Sequence, residues 1–347
     1  RGKRSESFAL VSHCMSSSRA DALLAAAATG DIEALQTRLR TARTSEINRP
    51  SRSGVTPLVT AALGGFPDCV RALCMAGAAV NQVTDQLQGI TSLHAAAVRG
   101  HIDCARALLD AGAAVDQADE QGMTPLFFAT FRGRAYFVRA LCAAGASVNK
   151  AANEGGTPLY TAAIQGHEDC VRALCEAGAA VNLPEGVSAS PLLAAAQEGH
   201  AGCTYLLHSY GARNLAAAVY AANGGHDELR DWLQHAHSWT PLHHLEVLTP
   251  ARTLSLLRDG ADLHAGKPSP LERAKVVPGD ASALVLRASA PWSPKTHHLF
   301  PEAARAQAVA AMRLGYQLAW STRYESEACS LVDAWISYVL PNLVDRG

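Results

Sequence analysis

Apolar positions in this chain recur in short, nearly identical blocks rather than in one long pattern. TPLVTAA begins at Thr56, TSLHAAA at Thr91, TPLFFAT at Thr124, TPLYTAA at Thr157 and SPLLAAA at Ser190. The steps between them are 35, 33, 33 and 33 residues. Each block opens with Thr or Ser, which accepts a hydrogen bond from a free backbone N–H at a helix start. Pro suits the first helical position in four of the five, because its missing donor has no helical partner there anyway. A glycine stop follows the Ala-rich helix, at Gly64, Gly100, Gly133, Gly166 and Gly199, where a left-handed residue ends the helix. A second apolar stripe comes next: Val70, Leu73 and Cys74; Ala105, Leu108 and Leu109; Val138, Leu141 and Cys142; Val171, Leu174 and Cys175. That i, i+3, i+4 spacing predicts one buried face on a second helix. Gly77, Gly112, Gly145 and Gly178 then end the block, followed by a hydrophobic residue and Asn or Asp.

Self-similarity at this period marks stacked helical repeats, each too thin to bury its own apolar stripe. Thr-Pro-Leu-x-x-Ala-Ala, Gly-His, a leucine pair and Gly-Ala-x-Val-Asn, kept in order over about 54–212, resemble ankyrin repeats. The resemblance implies an all-α solenoid of antiparallel helix pairs with hairpin fingers projecting sideways. It also implies that the inner helices and fingers bind another protein.

The ends of the array diverge. Asp21–Arg40 reads as a degenerate first unit, with Ile32, Leu35 and Leu39 on its second helix. Beyond Ser190 two shortened units fit before Gly260-Ala261-Asp262, the second restarting a helix at Thr240-Pro241-Leu242-His243-His244. Ser269-Pro270-Leu271 opens a last partial unit ending near Lys275. The expected organisation is therefore a disordered segment over 1–19, an array over 20–275, a Pro-punctuated linker over 276–301 and a helical segment over 302–347. Within that segment Glu302–Trp320 is one expected helix, with Val309, Met312, Tyr316 and Ala319 on one stripe; Ser330–Leu340 is another. These two helices are open to two roles. They cap the last repeat, laying Trp292, Met312 and Trp335 over its edge. Alternatively they form a recruitment box, by which some ankyrin proteins serve as substrate adaptors of a ubiquitin ligase; the apolar helix Leu331–Leu340 before Pro341 suggests this.

Composition removes other classes. A net charge of −1 gives no general attraction to nucleic acid or to an anionic membrane, and no apolar run is long enough to span a bilayer. Aromatic residues are only 6% of the chain, which suits thin Ala-packed layers. Seven of the nine cysteines fall on two registers of the second helix: Cys69, Cys104, Cys170 and Cys203 at one, Cys74, Cys142 and Cys175 at the other. They are expected as buried free thiols, favouring a reducing compartment, the cytoplasm or the nucleus. No CxxC pair, nucleophile elbow, phosphate-binding loop or HExxH occurs, so no enzyme, no cofactor and no small-molecule substrate is expected, and the chain is expected to be a monomer. His235, His237, His243 and His244 cluster, but His243, like His94, stands where the resembled family places a locally bonded histidine, so no metal site is expected.

The candidate binding residues lie four and seven positions after each Thr or Ser, where the family's inner surface is implied. Phe128 and Phe131, with Tyr160, Ile164 and Val98, concentrate apolar and aromatic area in a chain otherwise poor in aromatics. Arg99 and Arg132 flank them, and Asp119, Glu120 and Glu154 stand on the expected fingers over 117–123 and 150–156. A basic floor between acidic tips selects a protein partner of mixed charge.

Overall fold

A computed structural model of the chain describes residues 19–84, 88–182, 190–290 and 295–319. It comprises two compact units, Arg1–His200 and Ala201–Gly347. The boundary falls between the two helices of the fifth repeat, so the array expected over 20–275 is divided there. Residues 183–189 and the expected helix Ser330–Leu340 lie outside the described residues.

In the first unit, α1 (Arg19–Thr29) and α2 (Ile32–Leu39) form the degenerate pair, and α3 (Thr44–Ile47) is a single turn. Regular pairs follow: α4 (Pro57–Gly64) with α5 (Pro67–Met75), α6 (Ser92–Arg99) with α7 (Ile102–Asp110), α8 (Pro125–Phe131) with α9 (Ala135–Ala143), and α10 (Pro158–Ile164) with α11 (Glu168–Glu176). α12 (Pro191–Gln197) ends the unit. The caps work as the sequence predicts. Thr56, Thr124, Thr157 and Ser190 accept from the backbone N–H three residues on. At Thr91 the ring of His94 joins in: its Nδ1 accepts the Thr91 N–H at 3.1 Å, and its Nε2 lies 3.0 Å from the carbonyl of Met123 in the next repeat.

First helices stack on first helices (α1, α4, α6, α8, α10, α12), and second on second (α2, α5, α7, α9, α11). Leu58, Leu93, Leu126, Leu159 and Leu192 fill one layer; Leu73, Leu108, Leu141 and Leu174 fill the other, all buried. The left-handed stop after α4 is Gly65 rather than Gly64, because it shares the register of Gly100, Gly133 and Gly166, nine residues after the cap. These glycines also need to be small. A Cβ on Gly65 would meet the ring of His101 at 2.6 Å, and one on Gly133 would meet His167 at 2.8 Å.

The repeats are also tied by polar side chains in the hairpins. Asn48 accepts from the Ala79 N–H at 2.7 Å and donates to the Gly77 carbonyl at 3.3 Å. Asn81 does the same one repeat on, with Ala114 at 2.8 Å and Gly112 at 3.2 Å. Asp116 accepts from the Ser147 N–H at 2.9 Å, and Asn149 from that of Ala180 at 2.9 Å. A turn-forming Asn or Asp in one unit thus satisfies the helix end of the next.

The second unit departs from the pattern. α13 (Ala201–Ser209) is followed by the pair α14 (Ala217–Asn223) and α15 (Asp227–Ala236). The helix expected at Thr240 is only a 3-10 turn, Pro241–His243. The turn stops at His244, whose φ and ψ are no longer helical, and the next helix begins only beyond Thr249, extended before Pro250 as the N-cap of α16 (Pro250–Arg258). α17 (Pro270–Ala274) is the partial unit. The segment expected as linker carries α18 (Asp280–Ser289), whose Ala281, Val285 and Ala288 are buried. α19 (Glu302–Ala319) turns Ala304 and Ala308 inward, with Met312 packed beside them, onto a core that includes Leu257, Val285, Leu299 and Phe300. Val309 is exposed, so of the expected stripe Met312 packs inward while Ala308 takes the place of Val309.

A buried aromatic and imidazole cluster holds α13, α15 and the 3-10 turn together. His208 Nδ1 and His244 Nε2 lie 2.8 Å apart. Trp232 meets both rings, and Trp239 lies 5.6 Å from His244 and stacks on His243 at 5.7 Å. Burial, then the charge of Arg213, pulls His208 down to about 4. Burial, then the neighbouring His208, pulls His244 down to about 2.

Two outcomes follow from these contacts. Asn81→Ala leaves two backbone groups of the next repeat without a partner and is expected to cost about 2 kcal/mol, read as a lower Tm with unchanged helicity by circular dichroism. The neutral histidine pair makes the fold acid-sensitive. The unfolded chain takes up protons below about pH 6.5, where folded His208 and His244 do not, so stability is complete above that pH and declines as pH falls towards 4. By pH 5 the loss is on the order of 2 kcal/mol for each histidine, about 4 kcal/mol for the pair. Comparing thermal melts at pH 7 and 5 checks this: the double variant His208→Gln/His244→Gln is expected to show a much smaller pH-dependent shift.

Candidate partner-binding face

The stacked first helices of the first unit present one edge at a fixed register. Four residues after each cap the positions are mostly enclosed. Ala95, Thr161 and Ala194 are buried, and Phe128 is half-buried with its ring edge-on to His94 at 5.4 Å. Phe128 therefore packs one repeat against its neighbour as well as bordering the face. Seven residues after the cap the side chains are more open. Val98 and Ile164 are half-buried, and Phe131, between them in the stack, is 43% exposed. A phenylalanine at the end of a short helix, with an alanine-rich row on either side, has no larger neighbour to cover it. The guanidinium of Arg132 lies 5.5 Å from the Phe131 ring centre, holding the ring's face and adding a positive edge.

One position further on, the exposed residues run Arg99, Arg132, Gln165 and Glu198, from basic to acidic along the stack. Tyr160 is half-buried and belongs to the helix wall beside Ile164.

The fingers divide the acidic candidates. Glu120 and Glu154 are exposed. Asp119 is not a fingertip: it is 8% exposed, and its Oδ1 accepts from the N–H groups of Gln121 and Met123 at 2.9 and 2.8 Å. An aspartate at the start of a tight turn bonds its own backbone two and four residues on, which fixes it inward. The fingers are joined to one another, with the Glu120 N–H donating to the Gln88 carbonyl and the Asn153 N–H to that of Gln121, both at 2.9 Å. Glu120 and Glu154 thus project from a supported row.

A second exposed aromatic was not among the expected residues. Tyr136 is 76% exposed at the start of α9, with Arg139 5.7 Å from its ring centre. The equivalent residues in the other regular pairs are Asp68, Asp103 and Asp169. Asp68 and Asp103 pair with Arg71 and Arg106, and in this one repeat a tyrosine stands in for the acid. Aligning the repeats by register exposes the exception.

Burial disfavours the thiolate at Cys69, Cys74, Cys104, Cys142 and Cys170. Burial and then Asp103 push Cys104 up to about 11, and burial and then Asp169 push Cys170 up to about 12. The register argument holds for Cys69, Cys104, Cys170, Cys175 and Cys203, which are buried, whereas Cys74 and Cys142 are half-buried at the outer edge of their helices. The surface histidines His235 and His237 bond to carbonyls of their own helix, Asp231 and Gln234. His243 repeats the arrangement of His94, its Nδ1 accepting from the Thr240 N–H at 2.8 Å. Among the described residues no group of three or more His, Cys, Asp or Glu converges in a way that would hold a metal ion. No described helix is long and apolar enough to cross a membrane.

The family model for ankyrin repeats (3 copies) matches residues 77–152 and 146–218, and that for a single ankyrin repeat matches 53–85. No curated protein matches the sequence. Among solved structures, the chain is similar to the human ASB11 ankyrin repeat domain, with 31% identity and a TM-score of 0.53, over 60% of this chain and 96% of that one. It is also similar to an ankyrin repeat domain from Acinetobacter baumannii AYE, with 31% identity and a TM-score of 0.50, over 55% of this chain and 98% of that one. The chain belongs to the ankyrin repeat proteins.

Proposed function

We propose that the first unit is a non-enzymatic protein-recognition module whose contact surface is the open edge of the first helices together with the fingers. The observation that carries this reading is Phe131, a large aromatic left 43% exposed where neighbouring repeats offer Val98 and Ile164. Exposed aromatics in a shallow apolar row are the usual anchors of protein interfaces. Arg99 and Arg132 on the edge, with Glu120 and Glu154 on the fingers, select a partner carrying both signs of charge and set its register. Phe128 and Tyr160, both half-buried, border the face, and Asp119 shapes the finger without touching the partner. The protonated, buried thiols suit a reducing compartment such as the cytoplasm. The alternative role as a ubiquitin-ligase adaptor rests on the helix over 331–340, which lies outside the described residues.

Phe131→Ala is expected to weaken partner capture by about tenfold or more while lowering Tm less than Phe128→Ala does, because Phe131 is the more exposed of the two. Phe128→Ala is expected to lower Tm as well, since it removes the contact with His94. Affinity capture with the full chain, quantified by mass spectrometry for the parent and both variants, separates the two effects. Partners retained undiminished by Phe131→Ala would remove this face from the assignment.

A further inference from the structure

The second unit contains a cavity of about 340 Å³ that the repeat pattern does not explain. It lies between the loop after α13, the start of α14 and the end of α15. Its walls are of two kinds. One is polar and cationic: Arg213, His208, His237, Asn214 and Gln234. The other is aliphatic: Leu215, Ala218 and Leu233. No acidic residue is among those that line it.

Arg213 is held in place rather than left to sweep through solvent. Its Nη1 lies 2.9 Å from the His208 ring nitrogens, and its Nη2 donates to the Trp239 carbonyl. The imidazole beneath it is neutral, since burial and the Arg213 charge both oppose its protonation. The guanidinium thus keeps its positive field at the wall. Leu215 stands at the mouth and is 90% exposed, and Val219, one turn along α14, is 58% exposed. Fixed positive charge, amide donors and an uncovered aliphatic lip together match a group carrying a carboxylate beside an aliphatic side chain.

We propose that this cavity binds the C-terminal residue of a partner peptide, an aliphatic one, with its terminal carboxylate at Arg213 and its side chain against Leu215, Ala218 and Leu233. A C-terminal residue offers both groups from one Cα, as a cavity at the small end of the ligand-site range requires. An internal Asp or Glu places its carboxylate at the tip of its own side chain and leaves the aliphatic wall uncovered.

The test uses the full chain and three peptides, followed by the NMR shifts of the tryptophan indoles, because Trp232 and Trp239 adjoin His208 and Arg213. Acetyl-Gly-Ser-Leu with a free carboxylate is expected to bind. The same peptide as its C-terminal amide, and acetyl-Ser-Glu-Leu amide, are expected to bind at least about tenfold more weakly. Leu215→Asp places a competing carboxylate at the mouth; because Leu215 is 90% exposed, its Tm should be unchanged while binding of the free acid is lost. Arg213→Gln should also abolish binding, with Tm recorded because Arg213 supports the Trp239 carbonyl. Equal binding of acid and amide, preference for the internal glutamate, undiminished binding by Leu215→Asp, or no binding of the free acid would each overturn the proposal.

Discussion

Each helix pair in the first unit has apolar residues on more sides than its own partner helix can cover. Leu58 and Leu73 are fully enclosed only because α6 and α7 lie on one side and α1 and α2 on the other. Everything else in the unit follows from that dependence. The small residues, Ala61, Ala96, Ala129 and Ala162 among them, let the layers approach closely. The Thr and Ser caps and the glycine stops start and end each first helix at the same register, so that leucine meets leucine at each step. Stability in such an array is a sum of weak intrinsic terms and strong interface terms, and the interfaces are where substitutions tell.

Polar groups obey the same constraint. A hairpin placed every 33 residues leaves backbone donors and carbonyls at the end of each second helix. Asn48, Asn81, Asp116 and Asn149 meet them from the preceding repeat. The histidines after the glycine stops reach back in the same way, His167 to the Phe131 carbonyl and His200 to that of Ile164. One consequence bears on the binding face. Phe131 sits at a helix end whose carbonyl is already bonded by the following repeat, so its backbone is fixed while its side chain remains open. An anchor on a fixed backbone loses little entropy on binding.

The repeat register made most of the first unit legible in advance: the helix pairs, the caps, the buried register of Cys69, Cys104 and Cys170, and the locally bonded His94. Its failures have physical causes. Asp119 reads as a surface charge, because turn chemistry that draws a carboxylate inward depends on the conformation of the loop. Ala95 and Thr161 share a register with Phe128, but how far that register is covered depends on the size of its neighbours, which periodicity does not encode. In the second unit the register ends, and with it the guidance. α18 is visible in the spacing of Ala281, Val285 and Ala288, but the prolines and glycine around it read as linker punctuation. The meeting of His208 and His244, 36 residues apart, joins a second helix to a 3-10 turn where the register has ended, so no spacing announces it, and a histidine cluster in sequence reads first as a metal ligand set.

That pair shows how a repeat can trade one kind of core for another. In the first unit the equivalent space is filled by leucine, alanine and cysteine, which have no charge to lose. In the second, two imidazoles and two tryptophans occupy it, with Arg213 alongside. A guanidinium keeps its charge under any ordinary condition, whereas an imidazole gives up its proton when burial disfavours the cation. The rings therefore adjust to the arginine, not the reverse: they stay neutral and leave its positive field directed at the cavity wall. An aliphatic core could carry the same helices, but it would offer the arginine no imidazole to bond, and so would not hold that charge in one place.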